Sequence, residues 1–539
     1  MKEPALVIQR LEEFIRKKME GDAIPGLSVA VTDKGKDLYS GTFGVSESSS
    51  GDAVVEKTLF QIGSVSKSFT SIVLLQLQER GKLDVHAPVT EYLPWFQVRS
   101  RHAPITLHHL MTHTAGIPIG SDATVMPDSE VWNLRHLEAS TPPGERFHYS
   151  NTGYKTLGLV IEEVSGATYA EAISAGILHP LDMDDTEPVI TNSIRARTAV
   201  GYTWFHDDRP PARNAPLAPA TWFESNTGDG CISSTARDMA KYLRMLLNGG
   251  AGPNGRIVSE KSFELLTSRY VFCGEDGRDE HYGYGLSVLE DGGTTVLAHT
   301  GGMVGYTCSM AANMQDGLGA IVLTNSHGQP EQVTDYFLEI LRADRAGKAL
   351  PQVVLTAQRH TPKAPSEYVG VYSGDGGTIE VRERDSALFA VVGGDEVLME
   401  GFKDDLFLVD HPDLALFLMG FTRADGKVVS AFHGGNEYFL RGEDEDEVRK
   451  SIPEPYEAFV GHYRSHNPWL TNFRVVCRNG QLIFVEPTGR EQVLVPTGDR
   501  SFREGVPGSP ETLEFDMLVN GRALMAVYSG GPFHRTFTP

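Results

Sequence analysis

The chain has 539 residues, 40% of them hydrophobic and 22% charged, a composition that fits a folded globular protein of about two to four domains with ample length for a core. A formal net charge of -23 argues against nucleic acid or an anionic membrane surface as partner, and no apolar run reaches the length of a membrane span. The four cysteines, Cys231, Cys273, Cys308 and Cys477, form no Cys-x-x-Cys pair, so neither a zinc site nor a redox dithiol is expected.

The N-terminal stretch carries Glu12 and Glu13 where a secretion leader needs an apolar core, and it reads as an amphipathic helix. A cytoplasmic protein is the expectation. Pro25 and Gly26 then open a strand over residues 27–31, and the turn Asp33-Lys34-Gly35 returns the chain into a second strand near residues 38–41, a hairpin.

Thr58-Leu59-Phe60 is a strand-like approach to Gln61-Ile62-Gly63-Ser64-Val65-Ser66-Lys67-Ser68-Phe69. The apolar run over residues 69–77 has helical spacing and stops near Gly81. Ser64 is placed at the first turn of this buried helix, with Lys67 one turn above on the same face. A serine hydroxyl is a poor nucleophile until a neighbour takes its proton, and a lysine amine at i+3 is a candidate for that task. The positive end of the helix dipole favours negative charge developing at the serine.

Residues 105–111 read as a short helix capped by Thr106. His109 and His113 stand four apart, but no third ligand or general base accompanies them, and they are read as structural. Pro142-Pro143-Gly144 fixes an irregular loop that leads to Tyr149-Ser150-Asn151, just ahead of a helix that runs to about Ser165. Tyr149 and Asn151 thus sit on a rigid connection suited to functional side chains.

Residues 190–235 are rich in loops, and Thr235 caps a helix over residues 236–247. Strands follow at 284–289, 294–298, 306–313 and 318–324, then a helix over 329–345. The order predicts an α/β (α+β) layer with an antiparallel sheet that takes strands from both ends of the segment, beside a helical subdomain. His299-Thr300-Gly301-Gly302 falls at a strand edge, where paired glycines let another backbone approach closely.

From about residue 350 the sequence turns to short alternating strands with turns at Asp375-Gly376-Gly377, Asp425-Gly426 and Asn479-Gly480. Tyr368-Val369-Gly370-Val371-Tyr372 is echoed by Phe459-Val460-Gly461-His462-Tyr463, with Gly442-Glu443-Asp444-Glu445-Asp446-Glu447 as an acidic linker between. Two all-β barrel units are expected, with one barrel shared by both as the alternative.

Taken together, Ser64-x-x-Lys67, Tyr149-x-Asn151 and His299-Thr300-Gly301 resemble the motifs of the serine β-lactamase and penicillin-binding-protein superfamily, in its class C-like branch. Leu110-Met111-Thr112-His113-Thr114-Ala115-Gly116 and Ser234-Thr235-Ala236-Arg237-Asp238-Met239 extend the likeness. The architecture is similar to D-aminopeptidase-type serine peptidases with appended barrels. This resemblance implies a hydrolase domain over residues 1–348, a lipocalin-like barrel over 349–445 and a second barrel over 446–539. It implies that Ser64 forms an acyl-enzyme, that Lys67 and Tyr149 share the proton transfers, and that Asn151, His299 and Gly301 bind or orient substrate. Which of Lys67 and Tyr149 is the base stays open. The backbone N–H groups of Ser64 and Gly302 would form the oxyanion hole, and no metal or cofactor is implied.

Many relatives carry lysine at the position of His299, and a histidine there removes a fixed cation for a substrate carboxylate. The resemblance therefore favours a peptidase or aminopeptidase for short, D-containing or amine-bearing peptides, with residues 350–539 gating the site. A carboxylesterase, a β-lactamase and a non-catalytic binder of peptides or cell-wall fragments are the competing readings. The expected partner is a small peptide, amide or ester, with no nucleic acid and no membrane, and a homo-oligomer is left open.

Overall fold

The computed structural model describes residues 2–120, 126–212, 214–275, 277–355, 360, 362, 364–374, 376–441 and 454–536. The acidic linker and Asp375 of the sequence reading lie outside the described residues. The chain divides into two compact units, one of residues 1–203 and 217–355, the other of residues 204–216 and 356–539.

In the first unit the helices that matter are α1 (Pro4–Gly21), α2 (Ser66–Glu79), α3 (Leu107–Met111), α4 (Pro127–Asn133), α5 (Asn151–Ser165), α6 (Ala236–Leu247) and α7 (Glu331–Ala346). The strands are β1 (Gly26–Asp33), β2 (Asp37–Glu47), β3 (Asp52–Ala53), β4 (Val271–Phe272), β5 (Glu280–Tyr282), β6 (Ser287–Asp291), β7 (Thr294–Met303), β8 (Tyr306–Asn313) and β9 (Leu318–Thr324). Among the described residues these form one nine-stranded sheet in the order β4-β5-β6-β7-β8-β9-β1-β2-β3. The pairing is antiparallel throughout, and the N-terminal hairpin joins the C-terminal strands through Leu27↔Thr324 and Val29↔Val322.

Both faces of the central strands are covered, so β1 and β9 are almost continuously buried rather than alternating. Leu27, Val29, Val31 and Val322 pack with Val7, Leu11 and Phe14 of α1 and Phe337 and Ile340 of α7. Ala30, Ile321 and Leu323 face the larger cluster built on α2 and α6. Stacking of Phe14 on Tyr336, 4.2 Å between ring centres, ties α1 to α7. The buried Lys18 is neutralised by Asp22 at 2.9 Å and bonded to Gln332 at 2.8 Å.

The second unit contains two closed antiparallel barrels, each of eight strands among the described residues, spanning Gly370–Leu440 and Gly461–Arg535. A single shared barrel is therefore ruled out. The repeat seen in the sequence has a physical counterpart: Tyr372 donates its hydroxyl to the carbonyl of Tyr368, and Tyr463 does the same to Phe459, both at 2.8 Å. Residues 204–216 leave the first unit to pack here, with Asp207 paired to Arg464 and its carbonyl bonded by Asn472. No helix among the described residues is long and apolar enough to cross a membrane.

Candidate active site

Between Thr58 and Leu77 every residue is buried except Ser64, which is partly exposed. Ser64 lies in the 3₁₀ turn Gly63–Val65, two residues ahead of the first residue of α2, rather than within the helix proper. Gly63 makes the turn with φ +49°, in the left-handed region. A Cβ at Gly63 would stand 2.4 Å from the carbonyl oxygen and 2.8 Å from the nitrogen of Gly302, and one at Gly301 would stand 2.0 Å from the carbonyl oxygen of Ile62. These glycines let β7 lie directly against the serine turn. The ladder between β6 and β7 starts at Ser287↔Ala298, so residues 299–303 run on beyond β6 while staying paired to β8.

α2 is buried on all sides, which suits its apolar sequence. Polar links fix its rotation: Thr70 donates to the carbonyl of Gly228 at 2.6 Å, and Tyr242 donates to Ser68 at 2.7 Å. That places the fully buried Lys67 toward Ser64. Its Nζ is 3.0 Å from Ser64 Oγ, 2.8 Å from Asn151 Oδ1 and 2.9 Å from the carbonyl oxygen of Asp229. Asn151 begins α5, whose N-cap Ser150 accepts from Gly153 and donates to the carbonyl of Pro118 at 2.6 Å.

Tyr149 precedes that cap, partly exposed, with its ring centre 4.8 Å from Lys67 Nζ. His113 holds it in place. This histidine has left α3 and takes φ +56°, so it shares no helical face with His109. Its Nδ1 accepts the backbone N–H of Ser150 at 3.0 Å, and its ring packs on Tyr149 at 4.2 Å. Burial, aided by the charge of Lys67, pushes the His113 pKa well below its usual value.

His299 is 8% exposed and points inward from β7. Its Nδ1 is 2.5 Å from the carbonyl oxygen of Thr300 and therefore donates, so Nε2 accepts from the hydroxyl of Tyr282 at 2.8 Å. Burial first, and Lys67 second, lower its pKa to about 4. The ring is thus neutral near pH 7, with its ring centre 6.4 Å from that of Tyr149.

Ser64, Lys67, Tyr149, Asn151, His299, Gly301 and Gly302 therefore converge on one place. Sequence reasoning missed three contributors: Tyr282, the carbonyl of Asp229, and His113 as the brace of Tyr149. The alternation Tyr282-Gly283-Tyr284-Gly285 was a usable signal, because glycines in a strand-like run mark close approach. A Cβ at Gly285 would stand 2.7 Å from the Lys67 carbonyl. Among the described residues no cluster of histidine, cysteine and carboxylate side chains is arranged to hold a metal ion.

A family model described as Beta-lactamase matches residues 11–344. Penicillin-binding protein 4 of Amycolatopsis lactamdurans is 27% identical over 366 residues, covering 66% of this chain and 94% of that protein. The structure of the octameric penicillin-binding protein homologue from Pyrococcus abyssi is similar with a TM-score of 0.61 at 27% identity, over 80% of this chain and 98% of that one. A D-stereospecific amidohydrolase from Streptomyces sp. is similar with a TM-score of 0.50 at 25% identity, over 64% of this chain and 99% of that one.

Proposed function

Because the chain belongs to the beta-lactamase family of serine hydrolases, matched over residues 11–344, we propose that it hydrolyses amide bonds of short peptides through an acyl-enzyme on Ser64. The observation that carries this reading is the 3.0 Å contact between Lys67 Nζ and the one accessible residue of its segment, Ser64. Lys67 Nζ also bonds Asn151 Oδ1 at 2.8 Å and the carbonyl of Asp229 at 2.9 Å, which fixes it against the serine hydroxyl whose proton it is to take.

Ser64 Oγ attacks the substrate carbonyl as its proton passes to Lys67. The oxyanion that forms is held by the backbone N–H groups of Ser64 and Gly302, brought together by Gly63. Tyr149 gives a proton to the leaving amine and recovers one from Lys67. Water then repeats the sequence on the acyl-enzyme and frees the acid. Gly301 and the strand edge over residues 299–303 line the path of the substrate backbone.

His299 bears on substrate class. A neutral ring supplies no fixed charge for a carboxylate, which favours peptides bound through a free amine over carboxylate-anchored or β-lactam substrates. The likeness to a D-stereospecific amidohydrolase supports amide chemistry, and D-configured residues are part of the proposal. We extend it to a homo-oligomer, since the similar Pyrococcus abyssi protein is octameric, and to a cytoplasmic location. Light scattering and cell fractionation test these two points.

The test of function is a panel of p-nitroanilides of D- and L-amino acids, with free and blocked N-termini. Turnover that needs a free amine and vanishes in Ser64→Ala supports the aminopeptidase reading. Inert anilides beside active p-nitrophenyl esters would replace it with an esterase.

A further inference from the structure

A cleft of about 400 Å³ opens on the second barrel, and it lies within the compact unit formed by the barrels and residues 204–216. Arg474, Arg522 and Arg535 line it with Val460, Val476 and, from the first barrel, Phe417. No lining residue is acidic, on a chain whose formal net charge is -23.

The three arginines are unequally satisfied. Arg535 spends its donors on neutral oxygens: Nε on the carbonyl of Ala523, Nη1 on Val460, and Nη2 on Ala458 and the Tyr463 hydroxyl. Arg522 is exposed, and its guanidinium has no ion-pair partner among the described residues. Arg474 has a side chain only 11% exposed, yet among the described residues its Nε and Nη2 have no hydrogen-bond partner.

The nearest carboxylate to Arg474 is Asp208, with Oδ2 3.7 Å from Nη2, beyond hydrogen-bond reach. Asp208 is already committed, because Arg209 bonds its two oxygens at 2.8 and 3.3 Å. One carboxylate thus serves two guanidinium groups. A buried guanidinium with open donors is costly unless an acceptor reaches it. Burial also pulls the Arg474 pKa below its usual value.

We propose that this cleft binds a small organic anion, a carboxylate on an apolar body. The carboxylate pairs with Arg474 and Arg522, where the planar guanidinium fork matches its two oxygens. The body lies against Phe417, Val460 and Val476. The volume falls in the range of small-molecule sites, roughly 300–1,000 Å³. Apolar walls beside a single buried guanidinium suit an organic acid better than a bare phosphate, whose whole surface seeks polar partners.

The test is isothermal titration of the full chain with 4-phenylbutyrate, its neutral amide and inorganic phosphate at matched ionic strength. The acid is expected to saturate at one site per chain, with the amide silent and phosphate at least tenfold weaker. Arg474→Gln is expected to weaken the acid at least tenfold, and Arg522→Ala about threefold. Arg522 is exposed, so its variant carries the test if Arg474→Gln does not fold. Absence of saturable binding, equal binding of acid and amide, phosphate as tight as the acid, or unchanged affinity in the folded variants would overturn the proposal.

Discussion

The hydroxyl of Tyr282 donates to Nε2 of His299 at 2.8 Å, and this bond joins two strands of the sheet at the candidate site. It holds the imidazole neutral in one tautomer, beside a lysine it would repel if charged. A pH dependence follows. The folded-state pKa of His299 is about 4, below the usual value of 6.5, so the unfolded chain takes up the proton first. Stability is full above about pH 6.5 and is lost as pH falls toward 4, at up to about 1.4 kcal/mol per pH unit from this residue. Urea unfolding between pH 7 and pH 4 measures the slope, and His299→Gln is expected to flatten it.

Tyr149→Phe separates the two proton tasks. A leaving amine needs a proton, whereas p-nitrophenolate does not. Turnover of p-nitroanilides of active amino acids is expected to fall on the order of 100-fold or more, and turnover of p-nitrophenyl esters only a few-fold. Equal losses on both substrates would place Tyr149 upstream, at serine activation.

Gly63→Ala tests the close approach of β7 to the serine turn. The substitution meets a positive φ, and its Cβ would sit 2.4 Å from the Gly302 carbonyl oxygen. Strain of about 1–2 kcal/mol is expected from the backbone alone. Displacing Gly302 from Ser64 weakens the oxyanion hole, so kcat should fall on the order of 100-fold with a much smaller change in KM.

The buried pair Lys155–Glu130, at 2.5 Å, anchors α5 to α4 behind Asn151. Glu130→Ala removes one buried partner of the Lys155 ammonium and is expected to destabilise the protein by about 1–3 kcal/mol. Glu130→Ala combined with Lys155→Met should recover part of that loss, which denaturant unfolding of both variants measures.

Helices with a clear period and a cap were legible in the sequence. The predicted bounds of α6 are those observed, and Thr106 does cap α3. The repeat over Tyr368–Tyr372 and Phe459–Tyr463 announced two barrels because it repeats an internal tyrosine bond. β7 ran farther than expected, to Met303, because pairing with β8 overrides the glycines. The convergence of Ser64, Lys67, Tyr149 and His299 was legible only as spaced motifs. Tyr282 and His113 were not, since their roles come from contacts between strands and loops far apart in the chain. The hydrogen bond that defines His113 depends on a backbone turn no local pattern announces.

The central claim is that Ser64 carries the acyl group. The most direct measurement is mass spectrometry of protein quenched during turnover of a slow p-nitrophenyl ester, followed by peptide mapping. The predicted result is one acyl group on the peptide containing Ser64, absent from Ser64→Ala and accumulating far more slowly in Lys67→Ala. An acyl group on another residue, or turnover preserved in Ser64→Ala, would contradict it.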